Sequence, residues 1–277
     1  MAERLHAEWH GSRDAGRPAL LLVHGFAGDG TAWEPVRRGL AKSGPTLSVD
    51  LIGHGRSPAP DDPARYTLEA CVADLEAVLR AERAGPVWAV GYSMGARVAL
   101  SLALERPGLL RGLVLESSHA GLETSGEREA RAQSDDRLAQ RILDEGMEAF
   151  VEYWLNLPLF HSLWRISEER FNAEHQRRLK QRPEGLARSL RGMGAGRMSP
   201  LWKRLAEIDV PTLIVVGGED EHYSGLGARM AMSIPGAELA RIPDAGHAVH
   251  TEQPDAFARA VTGFLRRHER DDLAWAE

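Results

Sequence analysis

Apolar and polar positions along the chain follow two alternating rhythms. Short apolar runs of strand length recur at Ala19–His24, Thr46–Asp50, Pro86–Gly91, Leu113–Glu116, Pro211–Val216 and Leu239–Ile242. Between several of them apolar residues return every three to four positions, the period of a helix with one buried face. Trp33, Val36 and Leu40 mark such a face over 31–43, and Leu68, Val72, Leu75 and Leu79 mark another from Thr67 to about Arg83. Thr67 has a hydroxyl suited to cap that helix, because it can accept an amide that the first turn leaves free. A third helix is expected over 96–105, ended by Pro107, and a last one over 255–267. Near-continuously apolar strands alternating with helices predict an α/β fold, with a mostly parallel sheet covered on both faces.

From 117 to 207 the alternation stops, and the pattern turns helical, polar and arginine-rich. The expected organisation is an α/β core of 1–116 and 208–277 with a helical cap of 117–207 inserted into it. A cap seated on a core leaves a cleft between them, where small-molecule sites are favoured.

Composition narrows the classes. The chain has 277 residues, 43% hydrophobic and 27% charged, with a formal net charge of −6. These values suit a globular domain and exclude a mostly disordered chain. The acidic balance argues against a general nucleic-acid binder, which carries a basic footprint. Positive charge is nearly all arginine, with lysine only at Lys42, Lys180 and Lys203. The single cysteine, Cys71, excludes an internal disulfide. No run approaches the ~20 apolar residues of a membrane span, and the opening Met1–His6 has no apolar stretch behind a basic start. The expectation is a cytoplasmic protein without membrane or nucleic-acid partners, a monomer or small homo-oligomer. Neither an H-E-x-x-H pattern nor paired cysteines occur, so no metal and no cofactor are expected.

The strongest chemical signal is Gly91-Tyr92-Ser93-Met94-Gly95, a G-x-S-x-G pattern between an expected strand and an expected helix. A sharp turn there lifts the serine hydroxyl above the carboxyl end of the sheet, at a helix N-terminus that favours negative charge. A hydroxyl nucleophile or base needs a histidine, and the histidine needs an orienting acid. Among the eleven histidines, His247 sits in a loop after the last strand, with His250, His119 and His222 as rivals. Asp220, after the strand 211–216, completes the chain order Ser, Asp, His expected of this architecture. Glu116 is its main rival, and Glu219 and Glu221 flank it. The backbone amides of Phe26 and Met94 are candidates for an oxyanion hole, with His24 read as structural. The glycine-rich Asp50–Ser57 matches neither the dinucleotide nor the Walker spacing and is also read as structural.

His24-Gly25-Phe26, Asp50–Ser57, Gly91–Gly95, Gly218-Glu219-Asp220 and Ala245-Gly246-His247 together resemble the α/β-hydrolase fold family. Within it, the expected cap carries Gln133-Ser134-Asp135, Phe150–Trp154, Leu157–Phe160, Ser189–Gly194 and Pro200-Leu201-Trp202. With the elbow and Arg97, these are similar to the 2-succinyl-6-hydroxy-2,4-cyclohexadiene-1-carboxylate synthases, lyases of menaquinone biosynthesis. Ala96 departs from the glycine often found there but lies outside the turn. The resemblance implies pyruvate elimination from a tricarboxylate small molecule, with Ser93, His247 and Asp220 acting as a base. It also implies substrate-binding arginines, since forked donors suit carboxylates. Arg97 lies one helical turn after Ser93 and matches one of them. Arg131 matches a second, and Arg182 is placed as the third, with Arg178 and Arg188 as alternatives. Tyr92 and Trp154 match pocket residues.

Two other readings remain open from the sequence. A capped hydrolase acting on an ester or carbon–carbon bond would use Ser93 as a covalent nucleophile. A receptor on the same fold would bind its ligand without turnover.

Overall fold

The computed structural model describes residues 4–13 and 16–274; the first residues of the opening segment, Met1–Glu3, lie outside them. Seven strands form one sheet in the order β1-β3-β2-β4-β5-β6-β7. They are β1 (Ala7–His10), β2 (Leu20–Val23), β3 (Thr46–Val49), β4 (Val87–Tyr92), β5 (Leu110–Glu116), β6 (Thr212–Gly217) and β7 (Glu238–Ile242). All neighbours pair in parallel except β1, which runs antiparallel to β3.

Strand residues alternate between two cores, as a two-residue period requires. Leu21, Val23, Ala89, Leu115 and Val216 face α2 (Leu68–Ala81) and α3 (Met94–Glu105). Leu20, Leu22, Trp88, Val90 and Val215 face α1 (Glu34–Leu40) and α9 (Pro254–Ala274), through Trp33, Val36, Phe257 and Phe264. Thr67 caps α2 by accepting the Ala70 amide. The helix expected over 31–43 is shorter. A 3-10 turn over Gly30–Trp33, capped by Asp29, precedes α1, whose proline in the first turn sets a fresh start. α3 begins two residues earlier than expected, directly at the elbow.

Two elements went unanticipated. β1 is an edge strand whose Glu8 is exposed and whose His10 is only partly covered, so it has no apolar run. α7 (Glu221–Ser233) carries glycines that obscure its period. One of them, Gly227, is needed, because a Cβ there would meet Val216 at 2.7 Å.

Between β5 and β6 the described residues form helices only. These are α4 (Ser125–Leu155), a 3-10 stretch over Pro158–Arg165, α5 (Glu168–Leu179), α6 (Pro183–Met193) and a final 3-10 turn over Trp202–Glu207. Thr124 and Glu127 start α4 with reciprocal side-chain to backbone bonds. Gly146, at φ +78°, breaks its helical path. α5 is fastened to the core where Arg177 Nε donates to Thr31 Oγ1 at 2.9 Å. The Asp50–Ser57 segment is a structural clamp. The Asp50 carboxylate accepts the Gly30 amide at 2.7 Å and the Arg56 amide at 2.8 Å. No helix among the described residues is long and apolar enough to cross a membrane.

Candidate active site

The site forms where β4, β5 and β6 end. Ser93 follows β4 at φ +50°, a left-handed conformation held by tight packing on both sides. A Cβ on Gly91 would stand 2.6 Å from Ala96 Cα, and one on Gly95 would stand 2.2 Å from the Val23 carbonyl oxygen. Backbone cannot give way there, so both outer positions of the motif require glycine. The Ser93 amide donates to the Glu116 carbonyl at 2.9 Å, fixing the turn to β5.

Ser93 Oγ lies 3.1 Å from His247 Nε2, and His247 Nδ1 lies 2.8 Å from Asp220 Oδ2. The Nδ1–H therefore donates to the carboxylate, which leaves Nε2 to accept the serine proton. Asp220 caps α7, and its other oxygen accepts the Tyr223 amide at 3.1 Å. The imidazole is 2% exposed and packs among Tyr92, Phe160 and Tyr223 rings. His247 is thus held between Asp220 and the surrounding rings, facing Ser93.

A cleft of about 300 Å³ opens over Ser93, and Phe26, Met94, Tyr92 and Trp154 all line it. Burial raises the Tyr92 phenol well above its ordinary range, with Glu116 adding to the effect, so it stays neutral. The Trp154 ring meets Phe26 and Phe160 at 5.4 and 5.5 Å, giving the cleft an apolar roof.

Arginines also enter it. Arg97 is 7% exposed, and burial lowers its guanidinium to about 10, still charged at neutral pH. Its one hydrogen bond runs to the Met193 carbonyl at 3.0 Å, and no described carboxylate pairs with it. A buried cation without a counter-charge is costly, and it is a seat for an anion. Arg131 lines the cleft while its Nε holds Asp135 at 2.8 Å. Arg182 does not reach the cleft: from the N-cap of α6 it donates to the Ser57 carbonyl. Arg178, one turn earlier on α5, lines the cleft instead. Glu174 anchors it at 2.7 Å. Burial alone would raise the Glu174 carboxyl, but Arg178 and Arg177 override it and hold it at about 2.

The alpha/beta hydrolase family profile matches residues 20–260. The chain belongs to the alpha/beta hydrolase family. Within that family it is 40% identical, over 89% of its length and 90% of the relative, to a Bacillus subtilis (strain 168) protein provisionally named a 2-succinyl-6-hydroxy-2,4-cyclohexadiene-1-carboxylate synthase. It is 30% identical to the Enterobacter sp. (strain 638) protein of the same name, over 95% of this chain and 98% of that one. Among solved structures, MenH from S. aureus superposes with a TM-score of 0.91 at 31% identity, covering 97% of this chain and all of that one.

The rival residues have other places in this alpha/beta hydrolase family member. His250 Nδ1 meets Glu116 Oε1 at 2.9 Å, and the same oxygen accepts the His250 amide at 3.0 Å. Glu116 therefore ties the start of α8 (Val249–Glu252) to the strand whose carbonyl holds Ser93. Tyr92 stands between the two buried histidines, 4.7 Å from His250 and 5.4 Å from His247. His24 accepts the Leu51 amide on Nε2 at 3.0 Å and is structural. Glu219 pairs with Arg165, and His222 packs on the Tyr223 ring. His119 lines the cleft, although the sequence marks it only as a rival base.

Proposed function

We propose that the protein is the carbon–oxygen lyase of menaquinone biosynthesis that makes 2-succinyl-6-hydroxy-2,4-cyclohexadiene-1-carboxylate. Its substrate is 2-succinyl-5-enolpyruvyl-6-hydroxy-3-cyclohexene-1-carboxylate, and its other product is pyruvate. The observation that carries this reading is the buried, carboxylate-free Arg97 in the same cleft as the hydrogen-bonded Ser93–His247–Asp220. An esterase for apolar substrates gains nothing from that cation, whereas a substrate with three carboxylates matches it and its neighbours.

Ser93 Oγ removes the ring proton beside the succinyl ketone while His247 takes the hydroxyl proton. The released electron pair forms a new ring double bond, the existing one shifts by one position, and the carbon–oxygen bond to the enolpyruvyl group breaks. Protonated His247 returns its proton to the departing enolate, giving pyruvate. Asp220 steadies the imidazolium, and the Phe26 and Met94 amides take the ketone oxygen as it gains charge. Arg97, Arg131 and Arg178, the last in place of Arg182, receive the carboxylates. Residues 117–207 serve as the cap, with Trp154 and Phe160 keeping water from the reacting carbons.

The test is to supply that substrate and follow pyruvate through lactate dehydrogenase, with an activated ester assayed in parallel. Pyruvate release with little ester cleavage is expected. Brisk ester turnover without pyruvate would leave the triad in place and overturn the lyase.

A further inference from the structure

His119 lies just past β5 and is 8% exposed. Its Nδ1 accepts the Gly121 amide at 2.9 Å, so the ring proton sits on Nε2. Burial pushes the imidazole down to about 3, helped by Arg97 and Arg131 and more weakly by His222 and His247. It therefore stays neutral at working pH and is a poor proton acceptor. Among the described residues nothing accepts from the Nε2–H, and the residue borders the cleft. A satisfied core histidine would have both nitrogens engaged, as His24 does.

We propose that the His119 Nε2–H is a neutral donor that fixes one substrate carboxylate beside Arg97 and Arg131. This rests on the lyase reading above. Arg97 and Arg131 line the same cleft as His119, and although Asp135 offsets Arg131, Arg97 has no carboxylate partner among the described residues, which favours an anionic group there. A third cation there would be repelled by the first two. An uncharged N–H supplies direction without that cost, and it selects a carboxylate oxygen aimed at the ring edge. His119 is accordingly a substrate-positioning residue, not an alternative base.

The two ring nitrogens can be replaced separately. In His119→Asn the amide oxygen stands near the Nδ1 position and keeps the Gly121 bond, but no donor reaches the Nε2 position. In His119→Gln the terminal amide nitrogen reaches that position, and the Gly121 bond is lost. The expected result is a KM about 10- to 100-fold higher in His119→Asn with a smaller change in kcat, and a KM within about 5-fold of wild type in His119→Gln. The reverse order, or a wild-type KM in His119→Asn, would show a purely structural role and overturn the proposal. A measurement independent of folding of these variants uses Ser93→Ala protein with ¹⁵N-labelled histidine, holding uncleaved substrate. The His119 Nε2 resonance is expected to shift on binding, and an unchanged resonance would overturn the proposal. Pyruvate release by the wild type tests the lyase reading separately, so failure of either is distinguishable.

Discussion

Replacing Arg97 with methionine should sharply reduce turnover without weakening the fold. The guanidinium is 7% exposed, and burial holds it at about 10. A displacement of that size costs the folded state roughly 3 kcal/mol. Folded and unfolded chains both keep the proton below pH 10, so the cost is constant through neutral pH and is relieved only as pH rises through 10. Methionine fills similar space without charge. It also gives up the hydrogen bond to the Met193 carbonyl, and a bond from a charged donor contributes about 1.5–3 kcal/mol. The two effects nearly cancel, and the urea unfolding free energy should be unchanged or up to about 2 kcal/mol higher. An ordinary large-to-small change in a core instead costs about 2–5 kcal/mol. Losing one partner of a buried charge pair with the substrate costs roughly 2–5 kcal/mol, or about 30-fold to several-thousand-fold in kcat/KM for pyruvate release. A loss of more than ~2 kcal/mol in stability, or turnover near wild type, would refute the view of Arg97 as an uncompensated cation awaiting a carboxylate.

Three further outcomes are expected. Asp220→Asn should lower kcat about 10³- to 10⁴-fold in the pyruvate assay, because the imidazole loses its orienting charge; a change under tenfold would contradict the triad. Glu116→Gln should remain folded, since the amide oxygen still accepts from His250, whereas Glu116→Ala should lose about 1–3 kcal/mol for each donor left bare, measured by urea unfolding. Burial holds His54 and His119 each at about 3 in the folded protein. The unfolded chain takes these protons first, so stability is full above about pH 6.5 and falls below it. Lowering the pH from 6.5 to 5 should cost roughly 3 kcal/mol for the pair, and a flat urea midpoint over that range would disprove it.

Much of the sheet was legible because its central strands are buried on both faces and read as apolar runs. β1 was not, because an edge strand lets Glu8 and His10 face outward. Ser93, Asp220 and His247 stood out because strand ends and chain order restrict where each can lie, and the structure brings the three within hydrogen-bonding distance. The helical segment between β5 and β6 was less legible. Arg177, Arg178, Arg182 and Arg188 crowd two short helices, and spacing alone does not decide which turns inward. Glu174 pairs with both Arg177 and Arg178, and bonds to Thr31 draw Arg177 to the core while Arg178 lines the cleft. The character of His119 depends first on its burial and then on Arg97 and Arg131, which are distant in sequence, so only the folded structure reveals that it is a poor base.

The break at Gly146 separates Arg131 from Trp154 on what would otherwise be one helix. A straight helix would set these residues roughly 35 Å apart along its axis, far beyond the width of a cleft of about 300 Å³ that both line. The bend folds the helix back so that its first half delivers charge and its second half delivers aromatic surface. Each half can then vary on its own. Exchange of the roof could accommodate a bulkier ring while the arginine stays in register, so one glycine makes the recognition of charge and the recognition of shape separately evolvable.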